Sequence, residues 1–305
     1  MKIAVASSSE VSLPVLNFLL AHPDYDLQLV ITNPDKATGR GRVVLPNAVA
    51  SWCDDHKVNV FKPRDNQELA SILDKEGFDL LITVAYGHIL KEELLIKPRY
   101  GAINLHYSLL PKYRGAAPVQ HAILNGDQIT GVTVFKLDAG MDSGPIYLQK
   151  ELRIDPDETT GDLIDRLNVV GVELIDKTLK LIIEGAHPKP QPEADVSFAP
   201  KFSKDNGQIN WQSPAVDIFN QFRALGKNPG VFTSLAGEKI RISDIKMVLT
   251  ESLAPGAFSA IDDSLLVGTK TSDLMIKHLI PEGRKVMSGK DFFNGLREKV
   301  NRSFA

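Results

Sequence analysis

Asn104 and His106 are the residues of this 305-residue chain best suited to do chemistry. They punctuate an apolar run, 102–105, that reads as a buried strand, and Pro111, Gly115 and Pro118 then mark a loop. Residues i and i+2 of a strand share a face, so the two side chains converge on one point beyond its end. An amide offers two N–H donors to a developing oxyanion, and an imidazole titrates near neutral pH. That is the minimum for acyl transfer: one group to hold negative charge on a carbonyl oxygen and one to take the nucleophile's proton. Asp142 adds a carboxylate, in a loop bracketed by Gly140 and Gly144 that can carry it close to the imidazole. Each residue alone has a plainer reading, as a satisfied polar group or an Asx-turn; for Asp138 the turn reading is preferred.

Other chemistries lack their equipment. The turn after the first apolar run is Ala6-Ser7-Ser8-Ser9-Glu10, without the glycines a dinucleotide pyrophosphate needs, so an NAD-dependent oxidoreductase is not expected. There is no Gly-x-x-x-x-Gly-Lys-Ser phosphate loop. Histidines 56, 88, 121, 187 and 278 form no metal-ligand spacing, and one cysteine cannot build a cysteine-rich site, so no metal is expected. That cysteine, Cys53, reads as a structural thiol in a helix and fits a reducing compartment. No stretch approaches the roughly 20 apolar residues of a membrane span, and the first residues do not read as a signal peptide. A cytoplasmic protein is expected. Residues 201–305 carry 15 Lys+Arg against 11 Asp+Glu within a chain of net charge −3, which hints at a polyanionic partner for the second part.

The elements that must position these residues follow from the periodicity. Apolar runs at 2–6, 27–31, 80–84 and 102–105 alternate with helical spacing at 13–20, 48–56, 69–76 and 89–95. This predicts a mostly parallel sheet with helices on both faces, a Rossmann-like α/β fold. A further helix is expected at 118–125, strands at 132–136 and 146–152, and a long amphipathic helix at 160–184. Three prolines within 187–192 read as a linker. Beyond it, a helix at 215–224 gives way to short runs at 231–235, 239–245, 265–267 and 274–279, which suggests a small β-barrel. The expected division is a catalytic domain at 1–187, a linker at 188–205 and a second domain at 206–305.

Asn104-x-His106, the run Ser108-Leu109-Leu110-Pro111-x-Tyr113-Arg114-Gly115 and Gly140-Met141-Asp142-Ser143-Gly144-Pro145-Ile146 together resemble the signature of the 10-formyltetrahydrofolate-dependent formyltransferases. The likeness runs through residues 1–184 and resumes at 198–203, 209–211 and 281–295. It implies an OB-like second domain, formyl transfer to an amine, and Asn104, His106 and Asp142 as catalytic residues. It further implies a pterin pocket lined by 85–90 and 137–142, with Tyr86, Gly87, Ile89, Asp138 and Gly140 at the folate. Ser108, Leu109, Leu110 and Pro111 would form the folate-associated loop. The cationic loop 33–42 would meet a tRNA acceptor end through Lys36, Arg40 and Arg42, and the planar guanidinium groups of the two arginines suit phosphates and bases. The implied partners are 10-formyltetrahydrofolate, as formyl donor, and initiator methionyl-tRNA, used by a monomer without a membrane. Two positions depart from the family: Ser7-Ser8, where a Gly-Thr-Pro-like turn is usual, and Lys227-Asn228, where an aromatic usually precedes Pro-Gly. Glycinamide ribonucleotide, an amino sugar, hydrolysis of the folate itself, or an RNA-binding module on an inactive fold stay open as alternatives.

Overall fold

The first strand, β1 (Lys2–Ala6), has Ile3, Val5 and both alanines fully buried. Burial on both faces is the mark of a central strand in a parallel sheet. The computed structural model describes residues 1–38, 43–296 and 303–305. They form two units: Met1–Pro118 with Ile129–Arg153 and Gly161–Pro200, and Val119–Gln128 with Ile154–Thr160 and Lys201–Ala305.

In the first unit, β2 (Asp26–Ile31), the short pair β3 (Lys36–Thr38) and β4 (Val43–Leu45), β5 (Val60–Phe61), β6 (Leu80–Thr83), β7 (Ala102–His106), β8 (Ile129–Lys136) and β9 (Ile146–Arg153) follow in order. Seven of them make one sheet, β5-β2-β1-β6-β7-β8-β9, parallel as far as β7 and antiparallel at β8 and β9. The loop 137–145 is too short for the crossover of a dozen or more residues that a parallel pair requires, so β9 returns antiparallel. The expected α/β architecture is therefore present, with an antiparallel edge that periodicity does not distinguish.

Helices cover both faces. The helices α1 (Leu13–Ala21), α2 (Ala48–His56), α3 (Asn66–Glu76), α4 (Glu92–Leu95) and α6 (Thr160–Ile183) alternate with the strands, while α5 (Pro118–Leu124) belongs from Val119 on to the second unit. Asn47 caps α2 by accepting from Ala50 N, and Asp65 caps α3 by accepting from Gln67 N and Glu68 N. Leu69, Leu73 and Leu94 bury against Ala4, Ala6, Leu81 and Ala102 on one face. Each such side chain contributes about 1.5–3 kcal/mol over its exposed state. On the other face Leu105 presses on α6 at Gly171, where an added Cβ would stand 2.9 Å from the leucine methyl. Because Leu105 points to α6, its neighbours Asn104 and His106 point the opposite way.

In the second unit, α7 (Ala215–Leu225) precedes an antiparallel sheet. The sheet comprises β10 (Val231–Leu235), β11 (Glu238–Met247), β12 (Phe258–Ile261), β13 (Ser264–Val267), β14 (Leu274–Pro281) and β15 (Met287–Ser288), with α8 (Gly289–Asn294) after it. Its order is β10-β11-β14-β13-β12, with β15 on β14. Phe304 stacks on Phe258 at 4.4 Å and helps close this core. Along Leu274–Pro281 the buried residues are 274 and 276 and then 279 and 281, so one face stays in the core with a shift of phase at Lys277 and His278, where the pairing with β11 is irregular.

Candidate active site

The site forms where β7 ends. In register, Asn104 lies between Thr83 of β6 and Phe135 of β8, and His106 lies beside Thr133. This is the carboxyl end of the parallel strands, one strand beyond the point where strand order reverses between β1 and β6. Ser8 N reaches Ala85 O at 3.4 Å across that reversal. The glycine-free turn is built instead on Ser9, whose side chain accepts from Val11 N as the chain enters the helix.

Asn104 is oriented from behind. Thr83 Oγ1 lies 2.7 Å from Asn104 Oδ1 and 3.2 Å from Ile103 O. The hydroxyl has one proton, and the shorter contact directs it to the amide oxygen. Nδ2 then faces outward with both N–H groups, and no acceptor among the described residues takes it. Thr83 was legible in the sequence only as the polar residue within the apolar run 80–84.

His106 is buried, with 5% exposure, and each ring nitrogen has a defined surrounding. Nε2 lies 2.9 Å from Tyr113 O. A carbonyl can only accept, so Nε2 carries the hydrogen and Nδ1 keeps the lone pair in the neutral ring. Nδ1 faces Asp142 Oδ2 at 3.7 Å, too far for a hydrogen bond but close enough for charge to act. Burial lowers the imidazole pKa below its ordinary value, while the Asp142 charge and the Tyr113 carbonyl pull it part of the way back. The ring is thus held neutral, a base ready to accept at Nδ1. The Phe135 ring meets it edge-on at 6.4 Å.

Asp142 sits in the left-handed region, φ +48°, and its Oδ2 also accepts from Gly115 N at 2.7 Å. Gly115, at φ +122°, lies where an added Cβ would stand 2.9 Å from Ala199 O. Only glycine combines that backbone with that approach. Asp138 closes an Asx-turn, Oδ1 accepting from Gly140 N at 3.0 Å and from Ser143 Oγ at 2.9 Å.

The structure brings Asn104, His106 and Asp142 together. It treats the other expected residues differently. Tyr86 is buried in the apolar cluster, whereas Gly87, at φ +78°, and Ile89 are exposed on the loop after β6. Ser108, Leu110 and Pro111 are buried and mutually braced: Ser108 Oγ donates to Lys112 O at 2.6 Å, and Gln149 Nε2 donates to Leu110 O at 2.7 Å. Leu109 packs on Gly131 of β8. These four side chains shape the loop rather than line an open surface. Lys36 is exposed on β3, and Arg40 and Arg42 lie outside the described residues. Cys53 is fully buried in α2 with its thiol pKa pushed up to about 11, which removes it as a nucleophile. Among the described residues no helix is long and apolar enough to cross a membrane.

Comparison with known proteins extends over nearly the whole chain. Residues 1–179 match the formyl transferase family and residues 201–297 the formyl transferase C-terminal domain. A methionyl-tRNA formyltransferase of Acidothermus cellulolyticus is 37% identical over 318 residues, 97% of this chain and 98% of that one. One from Thermodesulfovibrio yellowstonii is 40% identical over 296 residues, covering 96% and 94%. The fold is shared with HypX of Aquifex aeolicus in complex with tetrahydrofolic acid, TM-score 0.69 at 16% identity, covering 99% of this chain and 50% of HypX.

Proposed function

Because the chain belongs to the formyl transferase family in both of its domains, we infer that it moves the formyl group of 10-formyltetrahydrofolate to the free amino group of methionyl-tRNA. The observation that carries this reading is an outward-facing amide beside a buried, neutral imidazole at one strand end. The amine nitrogen attacks the formyl carbon, and the new negative charge falls on the formyl oxygen. Asn104 Nδ2, held by Thr83, donates to that oxygen. The proton leaving the amine goes to His106 Nδ1, the ring atom with a lone pair, and the Asp142 charge stabilises the imidazolium. Collapse breaks the bond to the folate nitrogen, which takes the proton back. Since Nε2 is fixed by Tyr113 O, orientation of the ring comes from that carbonyl, and Asp142 contributes charge.

The pterin lies against the loops 85–90 and 137–142, held mainly by main-chain groups. Gly87, Ile89 and Met141 are exposed on those loops, which supports their being reachable by the ring. Tyr86 and Asp138 support those loops from within. The acceptor end of the tRNA meets Lys36, Arg40 and Arg42, and the second domain adds its positive balance to phosphate binding. One chain supplies every group this step uses, which supports a monomer; action in the cytoplasm is part of the same proposal. The test sets charged initiator methionyl-tRNA beside glycinamide ribonucleotide and an amino sugar nucleotide, each with 10-formyltetrahydrofolate. Transfer to the tRNA that weakens steeply with salt is expected. Transfer to a small amine alone would overturn the acceptor assignment.

A further inference from the structure

Residues 188–200, expected from their prolines to be a linker, run along the first unit and bond to both loops that flank His106. Lys189 and Ile146 exchange main-chain hydrogen bonds at 2.7 and 2.8 Å. Ser197 Oγ accepts from Tyr113 N at 2.9 Å, Arg114 N donates to Ser197 O at 2.9 Å, and Ala199 N donates to Arg114 O at 2.7 Å. At the centre of this strap stands Gln191. Its Nε2 donates to Asp142 O and to Gly144 O, each at 2.8 Å, and its Oε1 accepts from Arg114 Nη2 at 2.6 Å.

We propose that Gln191 is a positioning residue for formyl transfer, tying the Asp142 loop to the Tyr113–Gly115 loop and thereby setting the separation of the Asp142 carboxylate from the His106 ring. The proposal rests on the roles given above to His106 and Asp142. Asp142 occupies a left-handed conformation that a non-glycine residue adopts only when its surroundings hold it there, and Gln191 grips the carbonyl of that residue. The same amide takes a charge-assisted bond from Arg114, whose chain neighbours supply Tyr113 O to Nε2 and Gly115 N to the Asp142 carboxylate. Both partners of the imidazole ring are therefore linked through one side chain. A displacement of about 1 Å in such a constellation can cost up to about 100-fold in rate. Gln191 is half-buried and borders an open depression of about 470 Å³, so replacing it leaves the apolar core intact.

Gln191→Leu and Gln191→Glu test this in the full-length protein; the second keeps shape and the Arg114 contact but cannot donate to the two carbonyls. The groups facing the ring are the Asp142 carboxylate, the Tyr113 carbonyl and the Phe135 ring. With the carboxylate released, imidazolium is less favoured, so the acid limb of the pH–rate curve should move to lower pH in Gln191→Leu. For both variants kcat should fall at least fivefold, with KM for 10-formyltetrahydrofolate within threefold of wild type. A smaller fall, or an unmoved limb in Gln191→Leu, would overturn the proposal; should Gln191→Leu not fold, Gln191→Glu decides on kcat. Asp142→Asn measured alongside separates the two levels. If it is fully active with an unchanged profile, the reading of the site fails; if it is impaired while Gln191→Leu is not, only the positioning role fails.

Discussion

Thr83→Val removes a hydroxyl and nothing else that Asn104 touches, and its effect is worked from one contact. The 2.7 Å bond from Thr83 Oγ1 fixes which end of the Asn104 amide faces outward. A neutral hydrogen bond contributes about 0.5–1.5 kcal/mol net. Its loss lets the amide turn its oxygen outward part of the time, so the rate should fall about 2- to 13-fold, at 1.36 kcal/mol per tenfold. Asn104→Ala removes the donor itself and should cost about 2.7–4 kcal/mol, or about 10²–10³ in kcat. The assay is single-turnover formyl transfer from 10-formyltetrahydrofolate to methionyl-tRNA, with folate affinity measured separately and expected to stay near wild type. The reasoning is refuted if Thr83→Val loses as much as Asn104→Ala, since Thr83 would then do more than orient. It is equally refuted if Asn104→Ala stays within threefold of wild type.

Asp142→Asn keeps size but loses the charge 3.7 Å from Nδ1, so kcat should fall and the acid limb of the pH–rate curve should shift downward; full activity with an unchanged curve would leave Asp142 as a loop residue only. Because burial depresses the His106 pKa, the unfolded chain binds a proton that the folded chain resists. Stability should then decline as pH falls from about 6.5 toward the folded value, and urea midpoints of His106→Gln should lack that part of the slope. Cys53, buried and with its thiol pKa near 11, should resist thiol reagents at neutral pH in the native state and react once unfolded; fast native labelling would contradict its placement.

Much of this site could be read from residue types at strand spacing. Asn104 and His106 share a face because the strand alternates, and no tertiary information is needed to say so. Asp142 was harder, because its approach to the ring depends on a left-handed backbone and on Gly115 N reaching its carboxylate. Those are contacts between segments far apart in the chain. Thr83, the Tyr113 carbonyl and Gln191 escaped for the same reason: each acts through a partner that periodicity cannot identify. A main-chain carbonyl in particular leaves no trace in residue type. Within Ser108–Pro111 residue types suggest ligand contact, but not the bonds that brace the loop, Ser108 Oγ to Lys112 O and Gln149 Nε2 to Leu110 O. The short strands β3, β5 and β15 carry too few residues for alternation to stand out. The prolines of 188–192 suggested a linker, yet proline also suits an extended strand laid along an edge, which is how Lys189 meets Ile146.

The most direct measurement is the single-turnover rate of formyl transfer to charged initiator methionyl-tRNA by wild type and by His106→Ala. Wild type should transfer the formyl group from 10-formyltetrahydrofolate to the methionine amine. His106→Ala should be slower by about 10²–10⁴-fold with both substrates still bound, the usual worth of acid–base help. A rate within threefold of wild type would show that the imidazole between Tyr113 O and Asp142 does not carry the proton.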